Sequence, residues 1–120
     1  RAIGGYSLAG LFSLWALSRD TGFAGAASCS GSLWYPGWAE YAAQARCPQG
    51  SCVYLSLGER EECARNAALA RVGDATRAQY DALLADAGIA DTTLVWHPGG
   101  HFDQPDARMA AGLAWLLKKL

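Results

Sequence analysis

Three kinds of reactive side chain stand at separate points of this 120-residue chain: Ser7, the glutamates Glu59, Glu61 and Glu62, and the histidines His97 and His101. Ser7 lies in Gly5-Tyr6-Ser7-Leu8-Ala9. This is a near match to G-x-S-x-G, in which a serine sits on a sharp strand-to-helix turn. The backbone is crowded there, so the residues two positions to either side must be small; Gly5 and Ala9 meet that need, and Gly10 adds room. The chemistry that suits this context is attack of the hydroxyl on a carbonyl while a base takes its proton. The plainer reading is a serine capping a helix N-terminus. His101 is the better base, because in Gly99-Gly100-His101-Phe102 small neighbours let a side chain reach over a sheet edge. His97 reads as a strand-end residue that is structural or faces solvent. Any of the three glutamates can hold an imidazole in one tautomer, or be a first-turn charge of a helix.

These groups need a scaffold. Residues 2–6 are expected as a short buried strand. Residues 8–19 are expected as a helix, with Leu8, Leu11, Phe12, Trp15 and Ala16 at helical spacing and Asp20-Thr21-Gly22 as its stop. Residues 23–28 form a second strand of small side chains, broken by Cys29-Ser30-Gly31-Ser32. An aromatic loop, 33–38, precedes a short helix at 39–46 and a turn at 48–50. Residues 52–57 are the clearest strand, ending at Gly58, and a polar, Ala-rich region spans 63–72. A helix is expected at about 74–87, with Tyr80, Leu83, Leu84 and Ala87 on one face and Gly88 as its stop, and a fourth strand at 92–96. The last helix has Asp103 as N-cap, Pro105 in its first turn, and Met109, Leu113, Leu116, Leu117 and Leu120 as its apolar side. Lys118 and Lys119 sit where a helix C-terminus favours cations.

Strands alternating with helices predict a single α/β domain over 1–120, with a four-stranded, mainly parallel sheet flanked by helices. In such a sheet, ligand-binding groups gather at the carboxyl ends of the strands. Ser7 ends the first strand, the glutamates follow the third, and His101 follows the fourth. Trp34, Tyr35 and Trp38 follow the second and, with Tyr6, are candidates to wall a substrate pocket. The alternative for that cluster is aromatic packing on the sheet.

Composition narrows the partners. The net charge is −1 with signs mixed along the chain, which argues against nucleic acid and against a polybasic membrane surface. Hydrophobic residues make up 52%, enough for a packed core, but no apolar run approaches the roughly 20 residues of a membrane span. The chain does not begin with a basic region, an apolar stretch and a cleavage site, so a cytoplasmic location is expected. It opens without Met and in mid-pattern, as a longer sequence cut at the start of a strand would. The spacing Cys47-x4-Cys52 flanks a Pro-Gly turn and suits a small disulfide loop. The alternative is four free thiols, some buried, since nothing else indicates an oxidising compartment. No Cys or His spacing suggests zinc, and no metal or other cofactor is expected.

The order Ser, acid, His is the chain order of α/β-hydrolases. The sequence resembles the C-terminal half of an α/β-hydrolase of the esterase family that includes enterochelin-esterase-like and esterase-D-like enzymes. The matching stretches are residues 5–12, Ser30-Gly31-Ser32-Leu33-Trp34, residues 55–61, and Pro98-Gly99-Gly100-His101-Phe102 with Trp115 in the closing helix. The resemblance implies a serine carboxylic-ester hydrolase with Ser7 as nucleophile, His101 as base and Glu61 as the orienting acid, three residues after Gly58. Glu59 and Glu62 are the other choices of acid. It also implies the backbone N–H of Leu8 as one oxyanion-hole donor and a small-molecule ester as substrate.

The complete fold has about eight strands, of which this chain supplies the last four. Two consequences are expected from the resemblance. The second oxyanion donor belongs to a loop after the third strand, so activity is impaired. The strand carrying Ser7 has a free edge, so the chain self-associates as a homo-oligomer or pairs with a missing N-terminal half. The competing readings are a non-catalytic fragment that self-associates through that edge, and a flavodoxin-like binding module with Ser7 and His101 far apart.

Overall fold

Four short runs rich in Ala, Val, Leu and Gly form one parallel sheet in the computed structural model, which describes residues 1–19 and 22–120. The strands are β1 (Ala2–Tyr6), β2 (Gly25–Cys29), β3 (Ser51–Gly58) and β4 (Ile89–His97), side by side in the order β1-β2-β3-β4. Between them run α1 (Leu8–Arg19), α2 (Trp38–Gln44), α3 (Ala67–Ala70) and α4 (Val72–Ala85), and α5 (Pro105–Lys119) closes the chain. Every strand pair is parallel, in registers such as Tyr6↔Cys29, Cys29↔Ser56 and Gly58↔His97. All strands therefore end on one side of the sheet, where the chemistry was expected.

The central strands alternate side chains between two packed faces. Ala26 of β2 and Val53 and Leu55 of β3 face Leu14 and Leu17 of α1 and Leu83 of α4. Ala27, Cys29, Cys52 and Tyr54 face Leu116 of α5 on the other side. Both β2 and β3 are buried along their whole length, whereas β1 and β4 are the sheet edges. No helix among the described residues is long and apolar enough to cross a membrane. All four cysteines are free, Cys29 and Cys52 in the core.

The structure shifts several expected elements. Strand β2 begins at Gly25 and reaches Cys29, and β4 starts at Ile89, because the Gly88 carbonyl accepts from Gly50 and Ser51 and draws the chain into register earlier. A short helix, α3, occupies the region left without a pattern, held by the Asn66 side chain, which accepts from the N–H groups of Ala68 and Leu69. The buried line of α4 runs through Val72, Thr76, Gln79 and Leu83, while Leu84 is exposed. On α1 the expected stripe divides: Leu8, Phe12 and Trp15 face outward, Leu11 packs against the core and Ala16 is buried with Gly10, Ser13, Leu14 and Leu17. On α5 the buried line is Arg108, Gly112 and Leu116, with Leu113, Leu117 and Leu120 exposed. Both helices are apolar on more than one face, so spacing alone does not choose the inner one. The expected helix stop at Asp20 and Thr21 lies outside the described residues.

Candidate active site

Ser7 follows the last residue of β1 and precedes the first of α1, with φ +61°, a left-handed backbone that costs a non-glycine residue about 1–3 kcal/mol. The cost is offset by bonds on both sides of the residue. Its N–H donates to the Cys29 carbonyl at 3.0 Å, and its carbonyl accepts from Gly10 and Ser32, each at 3.0 Å. The turn closes only over a glycine at position 5, because a Cβ there would lie 2.3 Å from the Ala9 carbonyl oxygen. Gly10 and Gly31 do the same against the next strand: a Cβ on either would press on the Ser28 hydroxyl, at 2.9 and 2.4 Å.

The other two side chains arrive from the ends of β3 and β4. Glu61 opens a 3₁₀ turn (Glu61–Cys63), and His101 lies in the Gly-rich loop between β4 and α5. The backbones are stitched together: Glu59 N–H donates to the His97 carbonyl at 2.7 Å and Arg60 N–H to Gly99 at 2.9 Å. Gly58 permits this approach, since a Cβ would sit 2.6 Å from the Gly99 carbonyl oxygen. The result is a continuous line, with Ser7 Oγ 3.0 Å from His101 Nε2 and His101 Nδ1 2.6 Å from Glu61 Oε1. Glu59 and Glu62 do not enter it. Glu59 is exposed, and Glu62 is bonded to Arg77 of α4.

The second oxygen of Glu61 is the most heavily solvated by protein. Oε2 accepts from Ser30 Oγ at 2.5 Å, from the Gly58 N–H at 2.6 Å and from Arg108 at 3.1 Å. Burial would push this carboxyl up. The donors from Ser30, Gly58, His101 and Arg108 outweigh burial and hold its pKa below the usual glutamate value. Glu61 is therefore ionised at neutral pH and accepts from His101 Nδ1, which selects the tautomer with its proton on that nitrogen. That tautomer leaves Nε2 as an acceptor facing the Ser7 hydroxyl.

Arg108 is the site residue that sequence reasoning missed. Its side chain is 2% exposed, and its guanidinium reaches Glu61, Ser30, and the carbonyls of Gly100 (3.1 Å) and Asp103 (3.2 Å). It also lies 5.3 Å from the centre of the Tyr6 ring. One cation thus holds the acid, the loop after β2 and the histidine loop. A signal existed: Arg108, Gly112 and Leu116 repeat at four-residue spacing, the line of α5 that faces the sheet. Ser30 was noted only as part of a matching stretch, yet it bonds Glu61 directly, from a backbone with φ +46°. Asp103 is not the helix N-cap; Gln104 stands there in a left-handed conformation, and Asp103 instead accepts from the Gly100 N–H at 2.7 Å.

A cavity of about 280 Å³ opens over the line, walled by Ser7, Ser32, Trp34, Arg60, Leu69 and His101 among others. Of the four aromatic candidates, Trp34 lies in its wall, and Tyr6, Tyr35 and Trp38 do not. Tyr6 packs its ring 5.4 Å from that of His101 and donates its hydroxyl to the His101 carbonyl, so it braces the histidine loop. Trp38 is buried in the core with its indole N–H on Gln79. Tyr35 lines a separate apolar groove with Leu8, Phe12 and Trp15. His97 ends β4 with Nε2 buried and unpaired; burial, then the charge of Arg108, lowers its pKa. At the mouth of α1, the Leu8 N–H points from a helix start with no acceptor among the described residues. No group of three His, Cys, Asp or Glu side chains able to hold a metal occurs among the described residues.

No family model matches the sequence, and no curated protein matches it. Solved structures do match. The siderophore hydrolase EstA from Aspergillus nidulans superposes with a TM-score of 0.76 at 22% identity, over 98% of this chain and 47% of that one. An IroE-like serine hydrolase from Shewanella oneidensis gives 0.75 at 20% identity, over 98% and 40%. An esterase from Pyrococcus furiosus gives 0.57 at 12% identity, over 100% and 53%. The chain spans about half the length of these structures or less. The architecture is thus the C-terminal half of an α/β-hydrolase fold.

Proposed function

We propose that this chain is the nucleophile-bearing half of a serine hydrolase that cleaves carboxylic esters through an acyl-enzyme. The observation that carries the reading is the line of Ser7, His101 and Glu61, with contacts of 3.0 and 2.6 Å, assembled from three separate loops. His101 Nε2 takes the Ser7 proton as Oγ bonds to the ester carbon. The imidazolium then gives that proton to the leaving alcohol, and water repeats the sequence to free the acid. Glu61 stays ionised throughout and stabilises the imidazolium. The Leu8 N–H, at the positive end of α1, is the donor to the oxyanion. The likeness to structures described as hydrolases and an esterase supports the class of reaction. No step needs a metal or a cofactor.

The test is labelling by a fluorophosphonate. Wild-type chain is expected to label once, at Ser7, and Ser7→Ala not at all. A wild-type chain that is folded by circular dichroism but unlabelled rejects the reading. Turnover is expected to be weak, because a second oxyanion donor comes, in this fold, from a loop outside the four strands; the loss of one donor costs about 10²–10³ in rate.

A second reading is favoured by a different observation. Strand β1 is a sheet edge, and it is flanked by outward apolar stripes on both layers, Leu8, Phe12 and Trp15 on α1 and Leu113 and Leu117 on α5. Such a face supports a fragment that self-associates, or that takes up the other half of the fold, through β1. A monodisperse monomer in light scattering at micromolar concentration would rule out the self-association.

A further inference from the structure

We infer that Arg60 makes this cavity selective for esters whose acyl chain ends in a carboxylate. The inference rests on the hydrolase reading above. Arg60 lines the same cavity as Ser7 and His101 and is exposed. Its backbone is fixed: its N–H is bonded to Gly99, and it is the residue that starts the 3₁₀ turn carrying Glu61. The root of the side chain is thus fixed beside the reacting groups, while its guanidinium is free to reach a ligand.

Its guanidinium is also unspent. Among the described residues it has no hydrogen bond, ion pair or ring contact, whereas Arg77 is paired with Glu62 and Asp74, and Arg108 with Glu61. Among the described residues the only carboxylate in the cavity wall is Glu61, 8% exposed and already bonded to Ser30, Gly58, His101 and Arg108. The cavity therefore presents one free, permanent cation to a ligand. The rest of its wall includes Trp34, Leu69, Val72 and Phe102, which suit an alkyl chain. A guanidinium takes a carboxylate through two parallel N–H donors. The acyl group stays on Ser7 after the alcohol leaves, so a cation in this wall acts on it in both halves of the reaction.

The experiment compares p-nitrophenyl hemiglutarate, which carries a terminal carboxylate, with p-nitrophenyl valerate, its uncharged counterpart of equal chain length. The quantity is the ratio of their kcat/KM values in the wild type and in Arg60→Gln, at low salt and with added sodium chloride. The ratio is expected to fall about tenfold in Arg60→Gln and to fall with salt only in the wild type. A parallel readout needs no turnover: monomethyl glutarate is expected to slow fluorophosphonate labelling of the wild type and not of Arg60→Gln. An unchanged ratio, or equal protection of both proteins, in chains that label at Ser7 overturns the role of Arg60 alone. Folded chains that neither label nor turn over overturn the hydrolase reading, and this inference with it.

Discussion

The two ends of the Ser7–His101–Glu61 line are built on opposite principles. The acid end is buried and over-determined. Glu61 bonds four partners, from two loops, the end of β3 and α5, and Arg108 of that helix also bonds Ser30 and the loop carrying His101. The serine end is held mainly by backbone geometry, on an edge strand with large apolar side chains exposed beside it. An acid that only orients an imidazole gains from rigidity and exclusion of water. A nucleophile, the role proposed for Ser7, must stay reachable, and the position of Ser7 is set by a strained turn and by small residues rather than by side-chain bonds.

The largest expected effect is at Arg108. Replacing it with Met leaves Glu61 buried with three donors and without its cation, and such a break typically costs about 3–5 kcal/mol. Urea unfolding of Arg108→Met should show a loss of that order. Arg77→Met removes the exposed pair with Glu62 and should cost under about 1 kcal/mol. Equal losses for the two would mean that the acid end is no more tightly built than the surface. Pairing Arg108→Met with Glu61→Gln in a double-mutant cycle isolates the coupling.

Next is Gly5→Ala. Its Cβ would meet Ala9 backbone at 2.3 Å, so the turn must open. The expectation is a loss of about 1–3 kcal/mol, the range for overpacking, with a slower rate of Ser7 labelling. Labelling at the wild-type rate would show that the turn does not position the hydroxyl.

The acid end should also show in the pH dependence of stability. Glu61 is held below the usual glutamate value of 4.5 in the folded chain and returns to it on unfolding. Its contribution is therefore complete above the unfolded value and is lost as pH falls through the lower, folded one. Urea midpoints of the wild type should drop across this acid window more steeply than those of Glu61→Gln. Parallel curves would place the acid sensitivity elsewhere.

Much of this was legible in the sequence, and the exceptions follow a pattern. Strand and helix order, and the placing of Ser7, the glutamates and His101 at strand ends, came from turn residues and periodicity. These are local signals. The inner faces of α1 and α5 were read only in part, with Leu11, Ala16, Met109 and Leu116 placed inward but Leu8, Phe12, Trp15, Leu113, Leu117 and Leu120 misplaced, because both helices carry leucines or aromatics on two sides and only the sheet decides which side is covered. Arg108 was missed for the same reason: its spacing with Gly112 and Leu116 marks one face of α5, but an arginine there reads as a surface residue until its partners, Glu61 and Ser30, are brought to it from 47 and 78 positions away. Tyr6 was listed as a pocket candidate, but its ring packs on His101 and its hydroxyl bonds the His101 carbonyl, a long-range pairing that no local signal marks.

The smallest effect on stability, and the sharpest probe of the serine end, is Phe12→Glu. Phe12 is 55% exposed on the outward stripe of α1, in the groove shared with Leu8 and Trp15. A charge there displaces little buried surface, so the unfolding free energy should change by no more than about 0.5 kcal/mol. If the face beside β1 is an association surface, the same change places an unpaired charge at its centre and should shift the light-scattering mass toward the monomer. Leu84→Glu, on the exposed side of α4 away from β1, is the control and should leave the mass unchanged. A shift from both, or from neither, would mean that association, if any, does not run through the β1 side. The contrast between a closed acid end and an open serine end would then rest on the site geometry alone.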